Sequence, residues 1–352
     1  MPDWRESMQQ TFEYHIVDPG TWKDKTRINN VKSCTISRDS EAETLGSATI
    51  DISDSIGEQY VRVYLVTIQN GLTEKYALGT FLVQTPSSGF DGKVRTVSMD
   101  AYTPLLELKE SQPPLGYSIL KGENILDNAY RIARENARAP VVKTDCSTTL
   151  FADFVADPSE KWIEFLTALL TNAKYTFYLD ELGRILFAPI QDTASLQPVW
   201  TYSDDDSSIL YSDMSMDHDL YDIPNVVEVI YSNGGDQYYA KVINDDPNSP
   251  TSTVNRGRQI PYRVTDPDLI GDPTENQIHE YAERLLRQLS SLEYTVTYTH
   301  GYCPVRIGDC VRLNYERAGL IDVKAKVISQ TIKCEPGCPV TETAVFTRKL
   351  WG

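Results

Sequence analysis

The chain has 352 residues, 41% of them hydrophobic and 10% aromatic, so it is long and apolar enough to fold into two or more globular domains. Its formal net charge is -17, so it lacks the excess of Lys and Arg with which nucleic-acid-binding proteins hold phosphates. Tyr outnumbers Phe by 21 to 9, and an apolar ring with a polar tip suits half-buried strands and subunit contacts.

The first 18 residues carry charged side chains and no apolar core, which excludes a secretory signal peptide there. The sequence has no run of about 18 apolar residues, the length that a membrane-spanning helix needs. We therefore expect a protein made in a cytoplasm, without stable membrane insertion, whose thiols are free.

Residues 11–108 alternate short apolar strands with turns. Residues 61–68 form a β-branched run that is too apolar for exposure on both faces, and Asn70-Gly71 after it is typical of a tight hairpin turn. Asp91-Gly92 predicts a further turn. Strands at this spacing predict an antiparallel barrel or sandwich, and we assign residues 1–110 to a first β-barrel-like domain.

A breaker cluster, Gln112-Pro113-Pro114, begins a different pattern over residues 111–192. Helical periodicity predicts a helix at residues 123–138 and a second helix that opens at Asp157-Pro158. Residues 175–187 then predict a hairpin that turns at residues 180–183. Two helices and a hairpin indicate a compact α/β module inserted between strand-rich segments.

Residues 193–352 return to strands and predict a second β-barrel-like domain. A hairpin is expected at residues 226–243 around the Asn233-Gly234 turn, followed by a long polar loop at residues 245–258. A helix is predicted at residues 273–290, with its start at Asp272-Pro273, before four closing strands. The predicted fold class is α+β and β-rich.

Catalytic motifs are lacking in the sequence. None of the four histidines, His15, His218, His279 and His300, belongs to a metalloprotease or nucleophile motif, and no phosphate-binding glycine loop occurs. His279 lies beside the apolar stripe of its helix, where a structural histidine is the first expectation. We predict no catalytic residue and no cofactor.

Two acidic clusters, Asp204-Asp205-Asp206 and Asp217-His218-Asp219, suggest a calcium or glycosidase site as an alternative. Solvated loop acids are the simpler interpretation, because the spacing is not that of an EF-hand. A carbohydrate-active enzyme or a carbohydrate-binding adhesion module remains the alternative function. Its sugar platform would be built from Trp200, Tyr202 and Tyr211.

Four of the six cysteines lie close together in sequence, and they are Cys303, Cys310, Cys334 and Cys338. Thiolates from paired closing strands could hold zinc, but the spacing is not that of paired CxxC knuckles. Pro336-Gly337 between two of them predicts a hairpin turn. Free thiols are the first expectation, a cross-strand disulfide the second and a zinc site the third.

The order of a strand-rich domain, an α/β module and a second strand-rich domain resembles the tail hub family of tailed bacteriophages. Three segments carry the resemblance: the hairpin at residues 175–187, the Gly-Asp strand entry at residues 305–313, and the closing strands at residues 325–332 and 343–349. The family includes the central baseplate protein of contractile tails and the amino-terminal part of tail-associated proteins.

The resemblance implies a non-enzymatic homotrimer whose six barrels form a ring. Such a ring joins the tail tube, or a distal tail protein, to a central spike protein, and it leaves a channel through which DNA passes unbound. The acidic composition fits a lumen that does not hold a polyanion. The expected location is the baseplate of a virion assembled in a bacterial cytoplasm.

Two further expectations follow from the resemblance. The chain ends at Trp351-Gly352 directly after the closing strands, which fits the short hub of a contractile tail, and the loop at 245–258 would face solvent or a baseplate wedge protein. For the subunit interface we predict three residues that alternate along one strand and would lie on its solvent side, Tyr60, Arg62 and Tyr64.

Overall fold

Most of the chain is β-strand. The computed structural model describes residues 2–53, 56–90, 92–93, 95–221, 223–232, 237–265, 267 and 274–351. Its strands are β1 (Gln9–Val17), β2 (Asp24–Ile28), β3 (Val31–Asp39), β4 (Gly46–Ile52), β5 (Tyr60–Gln69), β6 (Leu72–Phe90), β7 (Arg95–Tyr102), β8 (Ser118–Ile119), β9 (Phe154–Val155), β10 (Tyr175–Leu179), β11 (Ile185–Pro189), β12 (Trp200–Ser203), β13 (Leu210–His218), β14 (Val226–Ser232), β15 (Gln237–Ile243), β16 (Pro261–Thr265), β17 (Ser291–Gly301), β18 (Cys310–Tyr315), β19 (Leu320–Lys333) and β20 (Pro339–Lys349). The α-helices are α1 (Leu106–Glu110), α2 (Ile125–Asn136), α3 (Trp162–Asn172), α4 (Thr253–Arg256) and α5 (Glu275–Leu289).

The chain divides into two compact units. The first comprises residues 1–214 and 297–344, and the second comprises residues 215–296 and 345–352. These units do not coincide with the three ranges drawn from the sequence, 1–110, 111–192 and 193–352, and those ranges stay a prediction.

One large, predominantly antiparallel sheet organises the first unit. Its strands follow the order β20-β19-β3-β4-β7-β6-β5-β1-β2, with β18 on β19 and β12 parallel to β18. The pairing of β3 with β19 therefore joins strands from the two ends of the sequence in a single sheet. The β-rich prediction is confirmed, but strand pairing among the described residues closes no barrel, so the two barrel-like domains stay a prediction.

The hairpin between β5 and β6 matches its sequence signal. Gln69 pairs with Leu72, and the two residues between them, Asn70 and Gly71, have φ values of 52° and 79°. Both central residues of a type I′ turn need positive φ, which Asn and Gly adopt at low energy. The predicted turn is therefore confirmed.

The α/β module has its own core within the first unit. Helices α2 and α3 pack with the β10–β11 hairpin around Ile125, Phe165 and Phe187, all buried. The second helix begins at Trp162 rather than at Asp157, because the Glu164 carboxylate accepts a hydrogen bond from the Lys161 amide at 2.8 Å and caps the helix there. Asp157 lies in a turn before it.

The second unit packs helix α5 on a three-stranded sheet ordered β15-β14-β16. Ile278, Ala282 and Leu286 lie one helical turn apart and are fully buried against β14 and β15. The predicted hairpin and helix are confirmed, with the Thr274 side chain capping the helix. The Asn233-Gly234 turn, Asp272, Pro273 and Asp91 lie outside the described residues.

Residues 245–258 are an integral part of the second unit rather than a free polar loop. Helix α4 lies within them, and Ser249, Thr251 and Ser252 are at most 1% exposed. The buried Asn225 amide nitrogen donates to the Thr251 carbonyl at 3.1 Å, and the buried Asn244 amide donates to the Ser249 hydroxyl at 2.9 Å. Two buried asparagines thus hold this segment in the unit, one through a backbone carbonyl and one through a side-chain hydroxyl.

In the part of the chain that the structure describes, no helix has the length and apolar character required to cross a membrane.

Gly46 is required where β3 meets β4. Its φ is +142°, and a Cβ built at this position would lie 2.3 Å from the Ser37 carbonyl oxygen. We expect Gly46→Ala to lower the free energy of unfolding by about 3 kcal/mol, since both the backbone strain and the steric clash are unavoidable. Chemical denaturation measures this difference.

Gly89→Ala is the matched control, because Gly89 also lies in a strand and a Cβ there would meet nothing within 4 Å. It should change the free energy by less than about 0.5 kcal/mol. Equal effects from the two substitutions would contradict the predicted role of Gly46.

Candidate functional site

The three predicted interface residues lie on one face of β5, but that face is covered. Tyr60 is 1% exposed and Arg62 is 4% exposed, while Tyr64 is half-buried. The expectation that these side chains face solvent is wrong for Tyr60 and Arg62. A contact with a neighbouring subunit through this strand stays a prediction.

Arg62 is buried because its guanidinium ties three segments of the first unit together. It donates to the Asp24 carboxylate at 2.9 Å, to the Thr80 hydroxyl at 2.8 Å and to the Leu182 carbonyl in the module's hairpin at 3.1 Å. A buried guanidinium needs this many acceptors, so Arg62 holds the module against the sheet. Tyr64 donates its hydroxyl to the same Asp24 carboxylate at 2.8 Å.

The structure does not gather the four predicted zinc ligands. Cys303 lies beside Tyr202, and the Cys310 thiol donates to the Val311 carbonyl. Cys334 lies opposite Cys34, and Cys338 is buried beyond the Pro336-Gly337 turn. Across the described residues, no group of three or more His, Cys, Asp or Glu side chains is placed to hold a metal ion.

The carbohydrate platform is not formed as predicted. Tyr202 is 1% exposed, because strand β12 turns it into the core beneath β17 and β20, whereas Tyr211 is exposed. Trp200 is half-buried, with the Arg5 guanidinium 5.4 Å from its ring centre. The prediction that Tyr202 offers a surface for a sugar is wrong.

Four of the five clustered acids are exposed: Asp205 and Asp206 in a turn, Asp217 in the last part of β13 and Asp219 directly after that strand. Asp204 forms an ion pair with Arg317, and the Asp205 carboxylate accepts hydrogen bonds from the amide and hydroxyl of Ser207. In the second unit, the His218 ring packs on Tyr294 with 4.9 Å between centres. His279 on helix α5 is exposed. The sequence therefore correctly indicates solvated acids.

The densest polar site in the described chain is one that the sequence patterns did not reveal. It surrounds the carboxylate of Glu342, which is fully buried in the sheet of the first unit. The carboxylate accepts hydrogen bonds from the Tyr298 hydroxyl at 2.8 Å, the Tyr202 hydroxyl at 3.1 Å and the Gln330 amide nitrogen at 2.6 Å. The two tyrosines donate to Oε2 and Gln330 donates to Oε1, and the His300 Nε2 atom lies 3.3 Å from the same Oε1.

Burial alone would lower the pKa of His300, but the adjacent Glu342 carboxylate outweighs it and raises the pKa to about 10. Burial would likewise raise the pKa of Glu342, yet His300, Gln330 and Tyr298 together lower it. The two side chains therefore form a buried ion pair at neutral pH. The His300 Nδ1 atom donates to the Gly301 carbonyl at 2.6 Å, as an imidazolium can.

Cys303, His300 and Glu342 are the residue types of a nucleophile, a base and an orienting acid. The Cys303 sulfur lies 3.9 Å from His300 Nδ1, and all three side chains are at most 1% exposed. A substrate cannot reach a sulfur atom at this depth. The arrangement therefore stabilises the sheet rather than presenting a reactive thiol.

The network extends into the amino-terminal half of the sheet. The Gln330 side-chain oxygen accepts from the Arg38 guanidinium at 3.0 Å, and Arg38 also donates to the Leu78 carbonyl at 2.6 Å. The charged groups thus connect β20, β19, β3 and β6. No local sequence pattern marks these partners, because each comes from a different strand.

An exposed apolar strip lies on the α/β module and consists of Leu120, Phe151 and Val155. Strands β8 and β9 place Val155 opposite Ser118, and the Gly122 amide donates to the Leu150 carbonyl at 2.7 Å, so the three residues lie on two segments that run side by side. Phe151 is 88% exposed, Val155 60% and Leu120 58%. Large apolar side chains grouped on a surface are typical of a protein contact.

Replacement of Glu342 tests the ion pair. The stabilisation that His300 contributes is complete below its unfolded pKa of about 6.5 and is lost as pH rises towards 10. In acid the stabilisation from Glu342 is also lost, as the pH falls from the unfolded pKa of about 4.5 through the lowered pKa of Glu342 in the folded protein. Near pH 6 we therefore expect Glu342→Gln to lower the free energy of unfolding by about 3 kcal/mol. The difference should narrow from pH 6.5 to pH 10.

Denaturant titrations at pH 6, 8 and 10 measure this dependence. Glu13→Gln is the matched control, because Glu13 also contacts a histidine, His15, but is partly exposed and has a pKa of about 2. Its substitution should change stability without a pH trend in this range, because Glu13 stays ionised throughout it. A Glu342→Gln difference that is constant with pH would contradict the ion pair.

Comparison with known proteins extends over nearly the whole chain. No family model and no curated protein matches the sequence. The fold is similar to that of the tail protein from Neisseria meningitidis MC58, with a TM-score of 0.62 and 15% identity over 97% of this chain and 98% of that one. The 43 kDa tail protein of prophage MuSo2 from Shewanella oneidensis gives a TM-score of 0.62 and 12% identity, covering 96% and 98%.

A chain of the Francisella PdpA-VgrG complex is also similar, with a TM-score of 0.54 and 9% identity, over 97% of this chain and 58% of that one. Identities this low establish the fold alone. The resemblance to phage tail proteins inferred from the sequence is confirmed at that level: the chain has the fold of phage tail proteins.

Proposed function

We propose that this protein is a structural component of a phage tail baseplate. The observation that carries the proposal is the match of the whole chain, rather than of one domain, to tail proteins of similar length. A structural role is also consistent with the burial of Cys303, His300 and Glu342 in the sheet. The proposed location is the tail of a virion assembled in a bacterial cytoplasm.

In this proposal the chain is the hub at the centre of the baseplate. Three copies form a closed ring that joins the tail tube, or a distal tail protein, to a central spike, with wedge proteins at its periphery. The similarity to a chain solved in the PdpA-VgrG complex supports a fold that works within a larger assembly. The trimeric ring is a more specific proposal than a structural role in a tail baseplate.

The charge of the chain suits a channel for DNA. With 50 acidic and 33 basic residues, a wall built from this chain repels phosphates and lets DNA pass without binding. The proposal therefore requires an inner wall that is net negative. A net positive inner wall in the assembled ring would contradict it.

The proposed role is non-enzymatic. Burial of Tyr202 removes a central residue of the carbohydrate platform, and the Cys303 sulfur beside His300 is inaccessible to a substrate. A carbohydrate-binding or carbohydrate-active protein is the competing function. Glycan-binding and glycan-hydrolysis assays discriminate the two.

We expect the purified protein to have a native mass of three times its 39.7 kDa chain mass. Mass photometry and light scattering across a dilution series measure the mass, and negative-stain images should show a central hole. A monomer at every concentration would contradict a self-assembling ring and direct attention to the glycan assays.

The exposed apolar strip is the surface that we expect to contact a second copy of the chain. Leu120→Ser combined with Phe151→Ser should raise at least tenfold the protein concentration at which the trimer dissociates to monomer. The circular dichroism spectrum should be unchanged. Leu72→Ser is the control, since Leu72 is 71% exposed at the β5–β6 turn. A trimer that survives the double substitution would place the subunit contact elsewhere.

A further inference from the structure

Cys34 and Cys334 are directly opposed across two neighbouring strands. In the register of β3 and β19, Ile36 pairs with Ile332 and Thr35 with Lys333, so the next pair is Cys34 with Cys334. The Cys334 amide donates to the Cys34 carbonyl at 2.9 Å, which extends the ladder by this step. Both are free cysteines.

The two sulfurs lie on the same side of the sheet. Side chains alternate along a strand, so Cys34 and Cys334 share the face of Ile36 and Ile332, which are both buried. The Cys334 thiol lies close enough to raise the pKa of the Cys34 thiol, and burial together with both thiols raises the pKa of the Tyr14 hydroxyl. Opposed residues on antiparallel strands have Cα atoms about 4.5 to 5.5 Å apart, which is inside the range that a disulfide spans.

We propose that Cys34 and Cys334 form a reversible cross-strand disulfide when the protein meets a disulfide oxidant such as oxidised glutathione. This inference rests on the strand register and does not depend on the proposed function. The bond would covalently join the amino-terminal part of the sheet to its carboxy-terminal part, at the pairing through which the two parts share one sheet.

The reaction proceeds by two thiol–disulfide exchanges. The Cys334 thiolate attacks one sulfur of oxidised glutathione, forms a mixed disulfide and releases one glutathione thiolate. The Cys34 thiolate then attacks the Cys334 sulfur and releases the second glutathione. Two protein thiols are oxidised to one disulfide, and one molecule of oxidised glutathione is reduced to two of glutathione, whose thiolates take up the two protons that the protein thiols lose.

Exposure assigns the order of the two steps. Cys334 is half-buried, whereas Cys34 is 3% exposed, so the oxidant reaches Cys334 first. The neighbouring Cys334 thiol and burial raise the pKa of Cys34, which keeps that thiol protonated until the mixed disulfide lies beside it. Cys34 thus resolves the intermediate.

The test is a thiol map of the full chain before and after incubation with oxidised glutathione. Cys146 must be replaced first, because it would also react with oxidised glutathione. Its side chain is partly exposed, and hydrogen bonds from Thr148 lower its pKa. In a Cys146→Ser background, the oxidised protein is denatured in iodoacetamide and digested. We expect a cross-linked peptide that joins Cys34 to Cys334. All five remaining cysteines should be alkylated in the untreated protein, and only Cys303, Cys310 and Cys338 after oxidation. The oxidised protein should show a rise in Tm of several degrees that dithiothreitol reverses.

Single substitutions separate the two roles. Cys34→Ser should leave Cys334 as a glutathione adduct without the rise in Tm, and Cys334→Ser should leave Cys34 fully alkylatable. Cys310→Ser is the control that should preserve the cross-link. A bond between Cys334 and Cys338, or alkylation of both Cys34 and Cys334 after oxidation, would overturn the proposal.

Discussion

The buried carboxylate of Glu342 is the constraint on which the sheet of the first unit depends. An ionised carboxylate inside a protein is tolerated only when donors surround it, and here His300, Tyr202, Tyr298 and Gln330 do so. The donors lie on β17, β12 and β19, and Glu342 lies on β20. The charge is therefore stabilised only when these four strands are brought together in the order that the sheet has. Any register that separated them would leave an uncompensated ion in the core.

The same requirement explains why the amino-terminal and carboxy-terminal strands form one sheet. The Gln330 side chain on β19 also accepts a hydrogen bond from Arg38 on β3, and these two strands pair in antiparallel fashion. Two independent barrels would separate Arg38 from Gln330 and leave its guanidinium with the Leu78 carbonyl alone. The polar network and the backbone ladder therefore select the same topology.

Local patterns were predictable from the sequence, whereas partners distant in sequence were not. Asn70-Gly71 and the apolar stripe of helix α5 depend only on neighbouring residues, and the structure contains both elements. Glu342 and His300 carried no signal, because one carboxylate among many and one isolated histidine acquire meaning only through strand pairing. For Arg62 a signal existed: the apolar run at residues 61–68 indicates a strand covered on both faces, which contradicts an exposed face for Tyr60 and Arg62.

The distribution of chemistry within the molecule favours a role exercised through its surfaces. The Cys303, His300 and Glu342 side chains, which could do catalytic work in an open cleft, serve instead to hold strands together. What the first unit presents to its surroundings includes an exposed apolar strip with Phe151 at its centre, while the chain as a whole is strongly acidic. The proposed place in a tail assembly would use both properties, the apolar strip for contact with another protein and the acidic surface for repulsion of polyanions.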